Sequence, residues 1–176
     1  ETGFVITPAS EIMAVLCLSE GLDELRKKID DILLGFTFAG NPFTSKDLGV
    51  TGAITALLKD AIQPNLVQTL EGTPAMIHGG PFANIAHGCN SIMATKTAMQ
   101  FGEYVVTEAG FATDLGAEKF FNIKCRKAGL QPAMSVLVAT SQALKLSGGA
   151  DAKTMMLPDM AVLGKGVRNL EKHIAI

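Results

Sequence analysis

A glycine-rich loop at residues 78–90, with the sequence HGGPFANIAHGCN, contains two histidines and one cysteine. Imidazole and thiol groups bind metal ions, and a thiol beside an imidazole can act as a nucleophile. The spacing of His78, His87 and Cys89 matches no compact zinc pattern, however, and side chains two residues apart rarely face each other. We expect no metal site in this segment and an incidental Cys89, with a metal site and a Cys89–His87 pair as the less favoured alternatives.

The backbone of this loop is more informative than its side chains. Gly79 and Gly80 allow backbone conformations and close approaches that other residues do not, and Pro81 then fixes φ. Two glycines followed by proline define a fixed path that a plain connection does not require. The pattern favours a ligand-binding loop, and ordinary turn chemistry is the alternative interpretation of its glycines.

Two further loops, 108–116 (EAGFATDLG) and 140–149 (TSQALKLSGG), have the same character. Each follows a predicted strand and leads toward a helix, so its amides and the helix dipole can face an anion. Glu108 and Asp114 could place two carboxylates at one cleft, although Asp114 could equally cap the following helix.

The elements that position these loops alternate between strand and helix. Short aliphatic runs at 75–78, 104–108 and 134–140 lack polar alternation, which is typical of strands covered on both faces. Helical segments at 91–101 and 115–128 separate them, and Gly129 ends the second. Strand–helix–strand order predicts an α/β fold with a mostly parallel, Rossmann-like sheet flanked by helices, with the loops meeting beyond the carboxyl ends of the strands.

The remaining segments predict helices and one strand pair. A surface helix at 19–33, which Ser19 could cap, and a helix at 45–61 flank a strand pair at 33–44. A last helix covers 159–174. The apolar residues expected to face inward are Leu22, Leu25, Ile29, Ile32, Val50, Ile54, Leu57, Leu58, Leu163, Val167, Leu170 and Ile174. Most of the basic residues on the helices are expected to be solvated, although a lysine in the first turns after a glycine loop could reach a phosphate; these residues are Lys96, Lys119, Lys124 and Arg126.

Composition bounds the class of protein. The chain has 176 residues, 48% of them hydrophobic and 18% charged, with a net charge of −2. This hydrophobic fraction is enough for one folded domain with an apolar core. The chain has no run of lysines or arginines that could bind nucleic acid. No apolar stretch is long enough to cross a membrane. Three cysteines, an odd number, favour reduced thiols and a cytoplasmic location.

Four segments together resemble one family. They are PNLVQTLEGTP, HGGPFANIAHGCNSIMATKTA, YVVTEAGFATDLGAEKFFNIKCRKAGL and VATSQALKLSGG. Each is similar to a segment of formate–tetrahydrofolate ligase, also called 10-formyltetrahydrofolate synthetase, and the likeness runs from about residue 3 to residue 176. A likeness of this length is more specific than any short motif.

The resemblance implies an ATP-dependent ligase. Such an enzyme joins formate to tetrahydrofolate, using ATP with magnesium, by way of formyl phosphate, and it assembles as a homotetramer. Residues 1–176 would be part of a larger nucleotide-binding α/β domain, with the P-loop segment upstream and further domains downstream. No G-x-x-x-x-G-K-[ST] motif occurs in this sequence, so the piece alone would be inactive. The alternative is a non-catalytic α/β binding or assembly module derived from that fold.

The resemblance also assigns residues to the cleft where nucleotide, formyl phosphate and pterin meet. A reactive acyl phosphate needs aligned N–H donors and exclusion of water more than it needs a nucleophilic side chain. The residues assigned to catalysis are Asn84, His87 and Glu108. Those assigned to binding are Gly79, Gly80, Pro81, Phe82, Ala83, Asn90, Ser91, Gly110, Phe111, Ala112 and Asp114.

At several positions the residue differs from the one usually found in that family. They are Val5, Pro8, Ala112, Thr113, Ser141, Gln142 and Ser147. Ala112 stands where the family usually has glycine, and its methyl group would hinder the close approach of a ligand to the backbone. Gln142 stands where it usually has arginine and cannot offer that bidentate charge.

Overall fold

The computed structural model describes residues 9–82 and 87–176. Short helices and strands alternate along the first half, and helices dominate the second. In chain order they are α1 (Glu11–Cys17), α2 (Leu22–Asp30), β1 (Leu33–Phe36), β2 (Pro42–Thr44), α3 (Ser45–Leu48), α4 (Thr51–Leu58), β3 (Asn65–Gln68), β4 (Pro74–Ile77), α5 (Ile92–Phe101), a π-containing helix at 112–128, α7 (Ser141–Ser147) and α8 (Met160–Ala175). The last turn of the π-containing helix is α6 (Arg126–Ala128).

The main apolar core lies between α1, α2 and the region of α4. Leu16, Leu25, Ile29 and Ile62 form its buried centre. Leu25 and Ile29 are four residues apart on α2 and so share one face, as predicted. Burying each of these side chains stabilises the fold by about 1.5–3 kcal/mol.

Three details of this region differ from prediction. Ser19 does not cap α2, because its hydroxyl donates to the Val15 carbonyl at 2.6 Å. The helix predicted at 45–61 is divided into α3 and α4 by Gly49, whose φ of +76° ends the first turn. Leu22, at the first position of α2, and Leu57 on α4 are exposed, whereas Ile54 and Leu58 pack against the core as predicted.

The strands form two antiparallel hairpins. The pair predicted at 33–44 is confirmed as β1 and β2, and the strand predicted at 75–78 is confirmed as β4. β4 pairs with β3, which the sequence pattern did not indicate. A short turn joins them, and a turn of that length permits antiparallel pairing only, because parallel strands need a long crossover. The predicted parallel partners of β4 are therefore not present in the described residues.

The strands predicted at 104–108 and 134–140 form no ladder within the described chain. Val106 is 96% and Val138 83% exposed, and Tyr104 and Val136 are exposed as well. A parallel strand needs a neighbour with which to exchange hydrogen bonds. These segments have the apolar composition of buried strands. Among the described residues, however, they have neither a strand to pair with nor packing that covers these exposed side chains.

The helix predicted at 115–128 is confirmed, but it begins earlier and contains wide turns. Ala112–Ala117 and Phe120–Cys125 are π-helical, and Gly129, with φ of +67°, ends the helix as predicted. Its buried residues include Gly116, Phe120, Lys124 and Ala128, which are four positions apart. Turns of about 3.6 residues would rotate such a series off one face, and the wider π turns compensate.

α7 and α8 pack backbone to backbone. A Cβ atom added at Gly166 would overlap the Leu144 carbonyl, and one added at Gly148 would overlap the Val162 carbonyl. The inward face of α8 is therefore centred on Gly166. The predicted inward stripe was partly wrong, because Val167 and Ile174 lie off this face and are exposed. No helix within 9–82 or 87–176 is long and apolar enough to cross a membrane.

Candidate functional site

A cavity of about 230 Å³ lies where the chain leaves β4, beside residues 106–108. The Cys89 amide donates to the Glu108 carbonyl at 3.4 Å, so the two predicted loops meet at its wall. Three residues predicted for the site, Gly79, Asn90 and Glu108, line it together. The other lining residues are Met76, Ile77, His78, Cys89, Val106 and Thr107.

A second depression, of about 330 Å³, is lined by residues between Phe121 and Pro132. It contains no residue predicted for the site. Within the described ranges no group of three or more histidine, cysteine or acidic side chains is arranged to hold a metal ion.

Gly79 and Gly80 differ in what surrounds them. Gly79 has φ of +67°, and a Cβ atom there would overlap the Cys17 sulfur. The Gly80 amide donates to that same sulfur, and burial raises the pKa of Cys17 in spite of this bond. Helix α1 thus supports the loop from behind. A Cβ atom added at Gly80, in contrast, would meet no atom of the described residues within 4 Å.

His78 is a structural residue with both ring nitrogens occupied. Its Nε2 lies 2.7 Å from the Ala61 carbonyl, which can only accept, so Nε2 carries the proton. Its Nδ1 lies 2.6 Å from the Ser91 hydroxyl, which therefore donates to it. The Ser91 oxygen also accepts the Ala94 amide at 2.9 Å and caps α5. This chain joins the end of β4 to the start of α5.

His87 is buried, and neither of its ring nitrogens makes a hydrogen bond of normal geometry. Burial, together with the charge of Lys124, lowers the pKa of His87 to about 4. The imidazole is therefore neutral at physiological pH and keeps one donor and one acceptor without partners in the described structure. An unpaired buried polar group is costly, so this ring is suited to a partner outside the described residues.

Cys89 and Thr107 also line the cavity, and neither was assigned to the site from the sequence. The Cys89 thiol donates to the Glu108 carboxylate, and burial and this carboxylate raise the pKa of Cys89. The thiol thus stays protonated and holds Glu108 in place. The Thr107 hydroxyl is buried without a partner in the described structure. No local pattern marks these two residues, because their role depends on the meeting of two loops.

Lys124 contradicts its sequence-based prediction. It is fully buried instead of solvated, and its ammonium donates to the Asn90 carbonyl. Lys96 on α5 behaves as expected, with its ammonium 2.8 Å from Glu20 at the surface.

The loop at 108–116 turns sharply into the π-containing helix. Gly110 has φ of +98°, and Ala112 is the only non-glycine residue with positive φ, at +58°, in the part of the chain that the structure describes. The Gly116 amide donates to the Phe111 carbonyl at 2.8 Å, and a Cβ atom at Gly116 would lie 2.7 Å from that oxygen. The alanine at 112 thus occupies a conformation that favours glycine.

Other predicted residues lie away from the cavity wall. Asp114 faces α8, with its carboxylate 3.4 Å from the Lys172 ammonium, and it does not cap the helix. Phe111 is exposed, whereas Pro81 is buried and Phe82 is largely exposed. Ala83 and Asn84 lie outside the described residues, as do Val5 and Pro8.

The third predicted loop, 140–149, does not line the cavity. α7 begins at once, with the Thr140 hydroxyl accepting the Ala143 amide at 3.1 Å. Gln142 lies 2.9 Å from the Met156 sulfur. The segment lacks the preceding strand that would bring it to the other two loops.

Comparison with known proteins gives one consistent result. A family model for formate–tetrahydrofolate ligase matches residues 1–176. The formate–tetrahydrofolate ligase of Bacteroides thetaiotaomicron is 68% identical over 99% of this chain, and the chain covers 31% of that protein. The corresponding proteins of Bacteroides fragilis and Methylobacillus flagellatus are 67% and 61% identical over the same shares. The chain therefore spans about a third of the length of the curated relatives it matches.

Proposed function

Since the chain belongs to the formate–tetrahydrofolate ligase family, we propose that it is part of an enzyme that joins formate to tetrahydrofolate at the expense of ATP. The products are 10-formyltetrahydrofolate, ADP and phosphate, and formyl phosphate is the intermediate. The observation that carries this proposal is the match along the whole chain, combined with a cavity that the two most distinctive loops line together.

The cavity supports a role in handling the acyl phosphate. Formyl phosphate is an anion whose carbonyl must be held toward the attacking amine while water is kept out. The backbone at Gly79 and Gly80 can approach such a ligand closely, and a Cβ atom at Gly80 would meet no atom within 4 Å in the part of the chain that the structure describes. This free space supports Gly80 as a ligand-facing position.

Glu108 and His87 are the proposed catalytic side chains among the described residues. Attack of the amine on the formyl carbonyl forms the C–N bond, breaks the C–O bond to phosphate and releases a proton from nitrogen. The Glu108 carboxylate lines the cavity and can accept that proton. The neutral imidazole of His87 is buried behind the cavity wall, and its ring nitrogens have no partner of normal geometry among the described residues, so we propose that it supports the neighbouring loop. Asn84, outside the described residues, is the third proposed participant.

The nucleotide phosphates and magnesium are best assigned to another part of the protein. The sequence contains no P-loop motif, and the described residues offer no cluster of metal ligands. The residues present thus do not fit the main phosphate and metal site. In this proposal Gly79, Asn90 and Glu108 line one side of the cleft, residues 80–82, 91 and 110–112 belong to the loops that carry them, and the rest of the polypeptide supplies the other walls.

If the rest of the polypeptide completes the domain, the unpaired segments at 104–108 and 134–140 are also explained. Their aliphatic side chains are exposed on the chain as described. We propose that strands elsewhere in the full-length protein pair with them in a mostly parallel, Rossmann-like sheet of a nucleotide-binding domain. The homotetramer and the cytoplasmic location expected for the family are part of the same proposal, and three free cysteines are compatible with that location.

The decisive experiment is turnover by the full-length protein that contains this chain. Purified protein is incubated with formate, ATP and tetrahydrofolate, and 10-formyltetrahydrofolate and ADP are measured. We expect product formation that requires all three substrates. A correctly folded protein that forms no product would support a non-catalytic binding or assembly module instead.

A further inference from the structure

The buried ammonium of Lys124 links the π-containing helix to the cleft loop. Lys124 is 0% exposed, and its Nζ donates to the carbonyl of Asn90, which lines the cavity. The same Nζ lies 5.5 Å from the centre of the Phe120 ring. Gly88 completes this contact, because a Cβ atom there would lie 3.4 Å from Nζ and 3.0 Å from the Phe120 ring. Helix and loop thus meet around one charged group.

The groups that face this ammonium make it unusual. They are the thiols of Cys17 on α1, Cys89 on the loop and Cys125 on its own helix, together with the neutral ring of His87. Burial lowers the pKa of Lys124 to about 8. The side chain is nevertheless mostly charged at neutral pH.

Stability alone does not account for a lysine at this position. A buried cation carries a large desolvation cost, and an apolar side chain of similar length avoids it. What an apolar side chain cannot provide is the hydrogen bond to Asn90. That bond holds residues 88–90 against the helix, and these residues carry Cys89, the partner of Glu108.

We propose that Lys124 is a positioning residue for the ligase reaction, holding the loop at 88–90 so that Asn90 and the Cys89–Glu108 pair face the acyl-transfer cavity. This inference rests on the proposed function. Lys124 itself does not contact the substrate and acts through the backbone of the loop.

The test compares K124M with wild type in the full-length protein, and K127M is the matched control. Lys127 lies on the same helix but is exposed and paired with Glu24 at 2.6 Å. We expect K124M to lower kcat/KM for formate and tetrahydrofolate by about 10- to 100-fold, because a shift near 1 Å in a site has effects of this size. KM for ATP stays unchanged if the nucleotide site lies elsewhere, and K127M keeps wild-type kinetics.

Two physical readouts separate positioning from folding. Hydrogen–deuterium exchange of the amides at 88–91 is expected to become faster in K124M, and the melting temperature is expected to change little, since relief of desolvation opposes loss of the bond. Unchanged exchange at 88–91 overturns the inference, as does wild-type kcat/KM in folded K124M.

A second variant keeps the lysine and displaces the loop. G88A adds a methyl group against Nζ and the Phe120 ring, so we expect the same kinetic loss and faster exchange. If K124M does not fold, G88A with wild-type kinetics overturns the inference. If wild type forms no product at all, the proposed ligase function fails, while exchange at 88–91 still decides whether Lys124 holds the loop.

Discussion

Adding the same methyl group at two adjacent glycines should give opposite results. Gly79→Ala places an L-residue at φ of +67° and drives its Cβ into the Cys17 sulfur. Gly80→Ala adds a methyl group where no atom of residues 9–82 or 87–176 lies within 4 Å. The first position is constrained by the fold, and the second is available to a ligand.

The magnitudes follow from these surroundings. The left-handed conformation costs an alanine about 1 kcal/mol, and overpacking against the buried thiol costs a further 1–3 kcal/mol or so. We therefore expect Gly79→Ala to lower the local free energy of unfolding by about 2–4 kcal/mol. Gly80→Ala should leave it unchanged, within about 0.5 kcal/mol. If the loop holds the acyl phosphate, Gly80→Ala should still reduce kcat/KM for formate at least tenfold.

Cys17→Ala provides the matching control because it removes the sulfur that the new methyl group meets. In the double variant Gly79→Ala/Cys17→Ala the overpacking is relieved, and the backbone strain and the loss of the Gly80 hydrogen bond remain; that loss is also present in Cys17→Ala alone and cancels in the coupling. The coupling between the two substitutions should therefore be favourable by about 1–3 kcal/mol.

Native-state hydrogen exchange suits these measurements because it reports the opening of individual segments and does not require the whole protein to unfold in one step. Opening free energies of α1 and the loop after β4 are compared among the variants, with steady-state kinetics alongside. Equal destabilisation by Gly79→Ala and Gly80→Ala would contradict the reasoning, as would a coupling near zero with Cys17→Ala. Full activity of Gly80→Ala would remove the loop from the proposed binding wall.

Three further predictions concern stability. Burial opposes the charge of Glu24, but hydrogen bonds from Lys127, the Glu20 amide and Lys28 outweigh it and lower the pKa of Glu24 to about 2. Glu24→Gln should therefore lower the free energy of unfolding by about 1 kcal/mol at pH 7, after allowance for the partial exposure of this carboxylate. That difference should shrink as the pH falls from 4.5 toward 2, which urea titrations at several pH values would check. Burial lowers the pKa of His87 in the folded protein to about 4, so in mild acid this side chain takes up a proton when the protein unfolds. The free energy of unfolding of wild type should therefore fall by at most about 3 kcal/mol between pH 6.5 and 4 through this group. A folded His87→Phe variant should not show that loss. Ala112→Gly should raise stability by about 1 kcal/mol, because φ of +58° no longer strains a side chain; a lower melting temperature would show that the methyl contacts outweigh the strain.

Local features of the fold could be predicted from the sequence. α5 begins at Ser91 because the hydroxyl accepts an amide of the first turn, and the helix at 112–128 ends at Gly129 because glycine adopts positive φ. The apolar face of α2 follows from residue spacing alone. These features depend on neighbours within a few positions.

Strand pairing could not be predicted in the same way. The composition of 104–108 and 134–140 indicates buried strands, yet pairing depends on a partner, and the described chain offers none. The hairpin of β3 and β4 was missed because both strands are short and largely exposed, so their pattern lacks a buried face.

The meeting of two loops at one cavity could be predicted where the backbone carries the signal. Gly79 and Glu108 do line one cavity, as expected from two loops that each follow an apolar run. Lys124 and Cys89 were not predictable, because a buried lysine and a thiol bonded to a carboxylate arise from long-range packing. Asp114 was assigned to the cleft by its loop, but an ion pair with Lys172 directs it to α8.

The wide turns at 112–117 and 120–125 set the rotation of Lys124 relative to the cleft. If one π turn relaxed to α geometry, a residue would be released and every later side chain would rotate by roughly 100° about the helix axis. Lys124 would then point away from the Asn90 carbonyl, although no cavity residue had changed. Inserting or deleting one residue in this helix before Lys124 would thus break the hydrogen bond between Lys124 and the cleft loop at Asn90.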